Sequence, residues 1–428
     1  MREKTILEVF HKQVAKYQDR AMLLSKTNDQ YEALSWNFVA DEVKALALGL
    51  ISLGVKSEKK VALMMTTQAY WPIWDLSIMA ARGINVPIYP TNRGTQVAHI
   101  INDSQAEILI LGSEGLTQEV LAHKAQMANL RFLILSFPNS AKYLGECEGL
   151  NCLSIEEVRR RGRELGQAQP ELYQESWRTV DSEDIASLIY TSGTTGNPKG
   201  VILTQNNFLS NAYTAAESIP SPDTHVSLSF LPLSHVLERT AGWYYMLISG
   251  ITIAYAEGIN EVQKNMQEIR PHVMVSVPRL YEKIHHRILE NVSKASWLRK
   301  KLFYWSIEVG KERAKLESNH KKIPQTLKWK NKLADKLVFQ KIRDAFGGRI
   351  DFCISGGAPF PAPLAEFFFA VGIRVLEGYG LTETSPVITC NRRDNYRFGS
   401  VGKVIAGVEV KIAKDGEILA RGPNVCKG

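Results

Sequence analysis

Between Tyr190 and Gly200 the chain reads Tyr-Thr-Ser-Gly-Thr-Thr-Gly-Asn-Pro-Lys-Gly, a concentration of hydroxyls, glycines and one lysine suited to holding a polyphosphate. Gly193 and Gly196 free the backbone to turn N–H groups inward against phosphate oxygens. Thr191, Ser192, Thr194 and Thr195 add side-chain donors, and Lys199 adds a positive charge. Apolar runs on either side, ending at Leu188-Ile189 and resuming at Val201-Ile202-Leu203, read as two strands that hold the segment at both ends. This is not a Walker A loop. Its lysine sits at the wrong spacing, and Gly200 stands where that loop needs a magnesium-binding Ser or Thr. A surface turn rich in Gly and Thr is the plainer alternative, but such turns seldom place so many donors and a lysine between two apolar strands.

Three later segments extend the pattern. Leu231-Pro232-Leu233-Ser234-His235-Val236-Leu237-Glu238-Arg239 places a histidine at the end of an expected strand. Ile354-Ser355-Gly356-Gly357-Ala358-Pro359 offers small residues and open backbone groups, although a glycine pair before proline is more often a simple turn. In Glu377-Gly378-Tyr379-Gly380-Leu381-Thr382-Glu383-Thr384, the glycines beside Tyr379 clear space for a base to stack on its ring. Alone, Glu383 would read as a charge at a helix N-terminus and His235 as a structural histidine.

Taken together and in this order, the four motifs resemble those of the adenylate-forming superfamily, which includes acyl-CoA synthetases, luciferases and peptide-synthetase adenylation domains. The last two, with Val277-Pro278-Arg279 ahead of them, are most similar in wording to the long-chain fatty acyl-CoA synthetase branch. The resemblance runs from about Thr5 to the end and departs at Gln205, where the family usually has His.

The resemblance implies a fatty acid–CoA ligase, an acid–thiol ligase that splits ATP at its α-phosphate. Pyrophosphate leaves, an acyl-AMP forms, and CoA then takes the acyl group and releases AMP. Thr191, Ser192, Gly193, Thr194, Thr195, Gly196 and Lys199 are implied to hold the ATP phosphates. Thr382 is implied to contact the α-phosphate, and Thr191 with Glu383 to ligate Mg²⁺ through oxygen, as a hard cation requires. Gly356, Gly357, Ala358, Glu377, Gly378, Tyr379 and Gly380 fall to the adenine. His235 falls beside the acyl carboxylate, and Trp243, Val277 and Gly380 along the acyl chain. Lys199, His235, Thr382 and Glu383 are the implied catalytic set. Trp243-Tyr244-Tyr245-Met246 reads most simply as core on a helix; the sharper reading makes that helix a wall of an acyl tunnel.

The elements needed to position these residues are those of an α/β fold. Asn37 to Leu53 and Trp71 to Ala81 read as helices, and Val61 to Met65 and Val86 to Ile88 as strands, a rhythm of parallel sheets flanked by helices. Past Pro386 it gives way to alternating runs with a hairpin turn at Asp415-Gly416. The expected organisation is an α/β subdomain over about 1–180, a second over 181–385 with the phosphate loop, and a partial, distorted β-barrel region over 386–428.

The 428 residues are 45% hydrophobic and 22% charged, ordinary for a globular protein with more than one core. Five cysteines without metal-ligand spacing read as reduced thiols of a cytoplasmic protein. Nothing at the N-terminus resembles a signal peptide. A net charge of +8 without a nucleic-acid signature suits anionic small molecules, and no nucleic-acid partner is expected. Segment 292–343, crowded with Lys and Arg and carrying Trp297, Phe303, Tyr304, Trp305 and Trp329, is divided by Pro324 into two expected helices. It reads first as a solvated hairpin whose aromatics pack inward. Its second reading is a peripheral contact with the inner face of an anionic membrane. A homodimer is a further expectation.

By resemblance, the family pattern continues beyond Gly428 through a ribose-binding aspartate, a hinge and a mobile lid domain of about a hundred residues. The expectation is therefore a shortened form, lacking the C-terminal lid, that binds nucleotide and acyl group with little turnover. Two other readings share the motifs: a fatty acyl-AMP ligase serving a carrier protein, and a non-catalytic binder of acyl or adenine nucleotides.

Overall fold

Buried strands of Ile, Leu and Val build two sheets in the computed structural model, which describes residues 2–147, 149–191 and 198–428. The seven-stranded sheet runs, in spatial order, Asn151–Ser154, Phe132–Leu135, Ile108–Leu111, Lys60–Met64, Ile84–Ile88, Ile185–Thr191 and Lys199–Thr204. All its pairings are parallel except the last, which is antiparallel. At the centre of the nine-stranded sheet lie the parallel strands Val375–Gly380, Phe352–Ser355, Val273–Ser276, Val226–Ser229, Thr252–Tyr255 and Ala21–Thr27. Antiparallel strands Val387–Cys390 and Lys403–Val404 extend one edge, and Gln30–Ser35 the other.

Helices cover these sheets, as the alternating pattern predicts. Helix Trp36–Ser52 is capped by the Ser35 side chain, which accepts the Phe38 N–H. Helix Tyr70–Ala80 is buried on every side from Trp71 to Ala80, the signature of an element between layers. Pro324 separates helix Trp297–Ser318 from helix Gln325–Ala334 as expected. Within this basic segment Phe303 packs inward, but Trp297, Tyr304 and Trp329 are exposed, against the expectation that its aromatics pack inward.

Two other expectations need correction. The sheets do not divide near residue 180: strands Ala21–Thr27 and Gln30–Ser35 join the nine-stranded sheet, whereas Ile185–Thr191 and Lys199–Thr204 close the edge of the seven-stranded one. Apolar patterning specifies a strand, but the choice of partner strand is a long-range matter it does not carry. Among the described residues no closed barrel forms after Pro386. Lys403–Val404 extends the larger sheet, and Glu409–Ile412 pairs with Ile418–Arg421 as the expected hairpin, its turn carrying Gly416 at φ +91°. With no buried residue on either strand of that hairpin, there is no apolar face for a barrel to enclose.

The sheets are tied together by a wholly buried ion pair. Arg239, just past the Val226–Ser229 strand of the larger sheet, meets Asp75 on helix Tyr70–Ala80. Arg239 also donates to Ser187 Oγ (2.6 Å) in the smaller sheet and to Tyr244 Oη (2.9 Å). Asp75 accepts further from Tyr244 Oη (2.8 Å), Trp243 Nε1 (3.2 Å) and Asn85 Nδ2 (2.7 Å). An ion pair taken out of water this completely survives only when its remaining donors and acceptors are satisfied. Asp75→Ala, which strands the guanidinium, is expected to lower unfolding free energy by about 3–5 kcal/mol. Arg421→Ala, which breaks the exposed pair with Glu409, should cost under about 1 kcal/mol. Urea denaturation compares them, and equal losses would show that the buried pair is no structural tie.

Candidate functional site

Strand ends of the larger sheet and the end of one strand from the smaller sheet converge on a cavity of about 530 Å³. Thr191, His235, Gly356, Gly357, Gly378, Tyr379, Gly380, Thr382 and Glu383 all line it, residues drawn from each of the four sequence motifs. Apolar residues complete the lining, among them Ala215, Ile219, Val236, Leu237, Ala241, Tyr245 and Val387, with Cys390. One chamber thus joins a glycine-rich polar side to an apolar side.

Backbone pairing sets the polar side. Thr191 ends its strand opposite Lys199, and Tyr190 pairs with Gly200, so an antiparallel ladder brackets the phosphate segment. Lys199 is exposed on that ladder rather than in the cavity lining. Ser192, Gly193, Thr194, Thr195 and Gly196 lie outside the described residues. Gly380 could be no other residue without rearrangement, because a Cβ there would run into the Pro386 carbonyl. The turn Thr382–Thr384 is pinned from below: Thr384 Oγ1 donates to Pro386 O (2.6 Å), and Thr240 Oγ1 to Ser385 O (2.9 Å). The end of the chain adds a strap, with Cys426 N donating to Glu383 O (2.7 Å) and Lys427 N to Ile202 O (3.0 Å).

His235 is held by its own turn. Its Nδ1 accepts the Leu237 N–H (3.1 Å), which assigns the ring proton of the neutral imidazole to Nε2. Burial lowers its pKa below the usual histidine range, so the neutral form prevails at pH 7. Glu377 accepts the Phe360 N–H (3.1 Å) and lies outside the cavity lining, so it braces the loop after Gly356-Gly357 instead. Ala358 is exposed and also outside the lining. Val277 stands behind Gly357, its Cγ1 3.9 Å from where a Cβ would lie. Trp243 points the other way, donating to Asp75, while its neighbours Ala241 and Tyr245 line the cavity. Trp243 itself is thus placed in the core, whereas Tyr245 of the same segment stands in the cavity wall.

A family model of the AMP-binding enzyme matches residues 10–428. The chain belongs to the AMP-binding enzyme family. It is 32% identical over 392 residues to the long-chain-fatty-acid–CoA ligase FadD15 of Mycobacterium bovis, covering 91% of this chain and 62% of that protein. With the Arabidopsis thaliana long-chain-fatty-acid–[acyl-carrier-protein] ligase AEE15 it shares 29% over 463 aligned residues, covering 99% of this chain and 63% of the relative. The chain therefore spans about three fifths of the length of these relatives. The crystal structure of the long-chain-fatty-acid-CoA ligase FadD1 of Archaeoglobus fulgidus has the same fold, with a TM-score of 0.71 at 17% identity, over 100% of this chain and 76% of that one.

The apolar wall of this AMP-binding enzyme was readable only in part: Val236 and Leu237 belong to the His235 motif and Tyr245 to the segment offered as a tunnel wall, but Ala215, Ile219 and Ala241 carry no such sign. Ala215 and Ile219 come from helix Gln205–Ser218 and its end, and Ala241 from the π-helical turn Glu238–Tyr244. Nothing in their local sequence distinguishes these residues from ordinary core. Glu238, quoted in the same motif without a role, follows the lining residues His235, Val236 and Leu237 and is buried outside the lining. Its Oε1 accepts from Ser229 Oγ (2.6 Å), and its Oε2 has no partner among the described residues. Full burial pushes its pKa up to about 8, which leaves it a neutral acid at pH 7. Gly242 gives it room, since a Cβ there would fall on the carboxyl group.

The native state keeps this proton up to about pH 8, whereas the unfolded chain releases it near 4.5. Between those values the native state binds more protons, so this group's contribution to stability falls as pH rises. Relative to Glu238→Gln, the wild type should lose up to about 1.4 kcal/mol per pH unit within that window. Parallel stability curves for the two proteins between pH 5 and 8 would refute the assignment.

Proposed function

We propose that this chain is the nucleotide- and acyl-binding part of a long-chain fatty acid–CoA ligase, and that the cavity holds an acyl-adenylate. The observation that supports this is the joining, within about 530 Å³, of a polar wall made by the family motifs to an apolar wall with no charged side chain. A ligand that is a nucleotide at one end and an alkyl chain at the other matches both walls. The name carried by FadD15 supports the same substrate class.

In this reading ATP lies with its β- and γ-phosphates against residues 191–196 and Lys199, and its α-phosphate at Thr382. Adenine stacks on Tyr379, and the glycines at 356, 357 and 378 permit the approach of its face and edge. Glu377 acts through the loop it braces. The Nε2–H of His235 donates to the acyl carboxylate and orients it for attack on the α-phosphorus. The bond from carboxylate oxygen to phosphorus forms as that to the pyrophosphate oxygen breaks. Charge develops on the phosphoryl oxygens, so fixed donors and Lys199 act mainly by position and field. Thr191 and Glu383 are hard oxygen donors on the same cavity, one carboxylate and one hydroxyl, which suits a Mg²⁺ ion that takes its other ligands from phosphate and water. When bound, that ion supplies neutralisation of the leaving pyrophosphate. CoA is the proposed acceptor in the second half-reaction, and detection of acyl-CoA rather than acyl carrier protein as product tests that choice.

The acyl chain lies along Ala215, Ile219, Ala241 and Tyr245. Calorimetry with a non-hydrolysable palmitoyl-AMP mimic and its acetyl counterpart tests this. Ala241→Phe, which fills the apolar side, should weaken the palmitoyl mimic by at least about tenfold, roughly 1.4 kcal/mol, and leave the acetyl mimic unchanged. Equal effects on both would place the acyl chain elsewhere; no binding of either to the wild type would remove the adenylate reading itself.

Among the described residues no helix is long and apolar enough to cross a membrane. Peripheral contact is the proposal for segment 292–343. Its support is the outward placement of Trp297, Leu298, Tyr304 and Trp329, each more than half exposed, among lysines 300, 301, 328, 330 and 332. Such a face gains both from burial of aromatics at the headgroup level and from attraction to anionic lipid. The protein is expected to pellet with phosphatidylserine vesicles at low salt and less at high salt. Failure to pellet in either buffer would end this proposal.

A further inference from the structure

The basic helical segment contains a second cavity of about 600 Å³, lined by residues of several helical elements and separate from the nucleotide cavity. Its walls are mainly apolar, with Ile284 and Ile288 from helix Pro278–Ser293, Phe303 from helix Trp297–Ser318, and Val338 and Ile342 from the turns that follow helix Gln325–Ala334, beside the neutral polar Gln263 and Asn291. Three cations stand among its lining residues, Arg287, Arg299 and Lys341, each from a different helix. Among the described residues no Asp or Glu lines it. Arg287 donates to the neutral Gln263 (2.8 Å) rather than to a carboxylate. The nearby acids Glu290 and Asp335 are engaged elsewhere, with Lys294 (2.7 Å) and Arg343 (2.6 Å).

These features narrow the occupant. A volume of this size is that of a small-molecule site, and walls of Ile, Val and Phe favour an alkyl chain over a polar ligand. Arg287, Arg299 and Lys341 are all exposed, so they meet water at the rim while the aliphatic side chains reach inside. Charge complementarity at the rim therefore asks for one anionic head, and the interior for one chain. The Val338 wall belongs to a π-helical turn, Asp335–Phe339, a distortion that displaces side chains from regular helical packing and often accompanies a binding site.

We propose that this pocket is a second ligand site that binds a fatty acid anion, chain inward and carboxylate among Arg287, Arg299 and Lys341. The site does not depend on the reading given to the nucleotide cavity, and its test is read at its own residues.

Laurate is the probe, followed by titration calorimetry and by hydrogen exchange of helices 278–293, 297–318 and 325–344. Laurate should slow exchange in these helices, and each methylene removed from the chain should weaken this binding about fourfold. Arg299→Glu and Lys341→Glu, both at exposed positions where folding is little affected, should each weaken it about tenfold or more. Val338→Trp, which fills the interior, should abolish it, with the melting temperature of each variant confirming a folded protein. Dodecyltrimethylammonium should not displace laurate. Equal protection by that cation or by dodecyl maltoside would show a merely apolar surface and overturn the proposal. Protection that rises with protein concentration in the absence of laurate would identify a second copy as the occupant and overturn it too. Laurate binding that ignores all three substitutions would assign the fatty acid to the nucleotide cavity alone.

Discussion

Everything in this molecule that concerns its site depends on the buried contact between Arg239 and Asp75. The pair joins the two sheets by a wholly buried charge contact, and burial makes its geometry exacting, because each charge has lost its hydration and must be met by protein atoms. Ser187, Asn85, Trp243 and Tyr244 supply those atoms. This demand explains a division of labour inside one short segment. His235 faces the cavity, Glu238 is buried and neutral outside its lining, and Arg239 reaches back into the smaller sheet. Trp243 and Tyr244 are committed to the ion pair, which leaves Ala241 and Tyr245 to form the apolar wall.

The position of the cavity follows from the sheets so joined. In open α/β sheets, ligand sites form beyond the carboxyl ends of parallel strands, where chains leave the sheet and backbone groups are free. Strands Phe352–Ser355 and Val375–Gly380 end in the two glycine motifs, and Val226–Ser229 leads to His235, all on the larger sheet. Thr191 reaches the same cavity from the smaller one. The contribution of two sheets to one chamber makes their mutual placement a condition of the site. The final residues reinforce it, since Asn424 Nδ2 donates to Thr384 O (2.8 Å) and Asn207 Nδ2 to Val425 O (2.9 Å), tying the Thr382–Thr384 turn to helix Gln205–Ser218.

Element type was legible in the sequence wherever periodicity was strong. The helix read over Asn37 to Leu53 occupies Trp36–Ser52, and the strand read over Val61 to Met65 occupies Lys60–Met64. The polar half of the cavity was legible for a different reason: glycines, hydroxyls and a histidine at these spacings have chemistry that ordinary packing does not demand. The apolar half has no such signature, because Ala215 lining a ligand chamber and Ala212 in the core are the same kind of residue to any local pattern. Sheet membership was hidden as well. The Ala21–Thr27 strand pairs with Thr252–Tyr255, more than two hundred residues away, and nothing in either run names the other. Trp243 illustrates the remaining limit, since an aromatic beside a site satisfies two packing roles and only its N–H partner distinguishes them.

Both cavities are bordered by π-helical turns, Glu238–Tyr244 at the first and Asp335–Phe339 at the second. A π-turn carries an extra residue per turn, so it rotates the side chains that follow out of the register a regular helix would impose. At the first cavity that shift accompanies the outward set Leu237, Ala241 and Tyr245 and the inward set Arg239 and Tyr244, so one segment serves the chamber and the ion pair at once. At the second it places Leu337 and Val338 toward the pocket while Phe339 stays wholly within the core. A regular helix repeats one face and can satisfy one surface; an irregular turn lets adjacent residues satisfy two. In this protein both π-helical turns therefore occur where a wall is made without giving up the packing behind it.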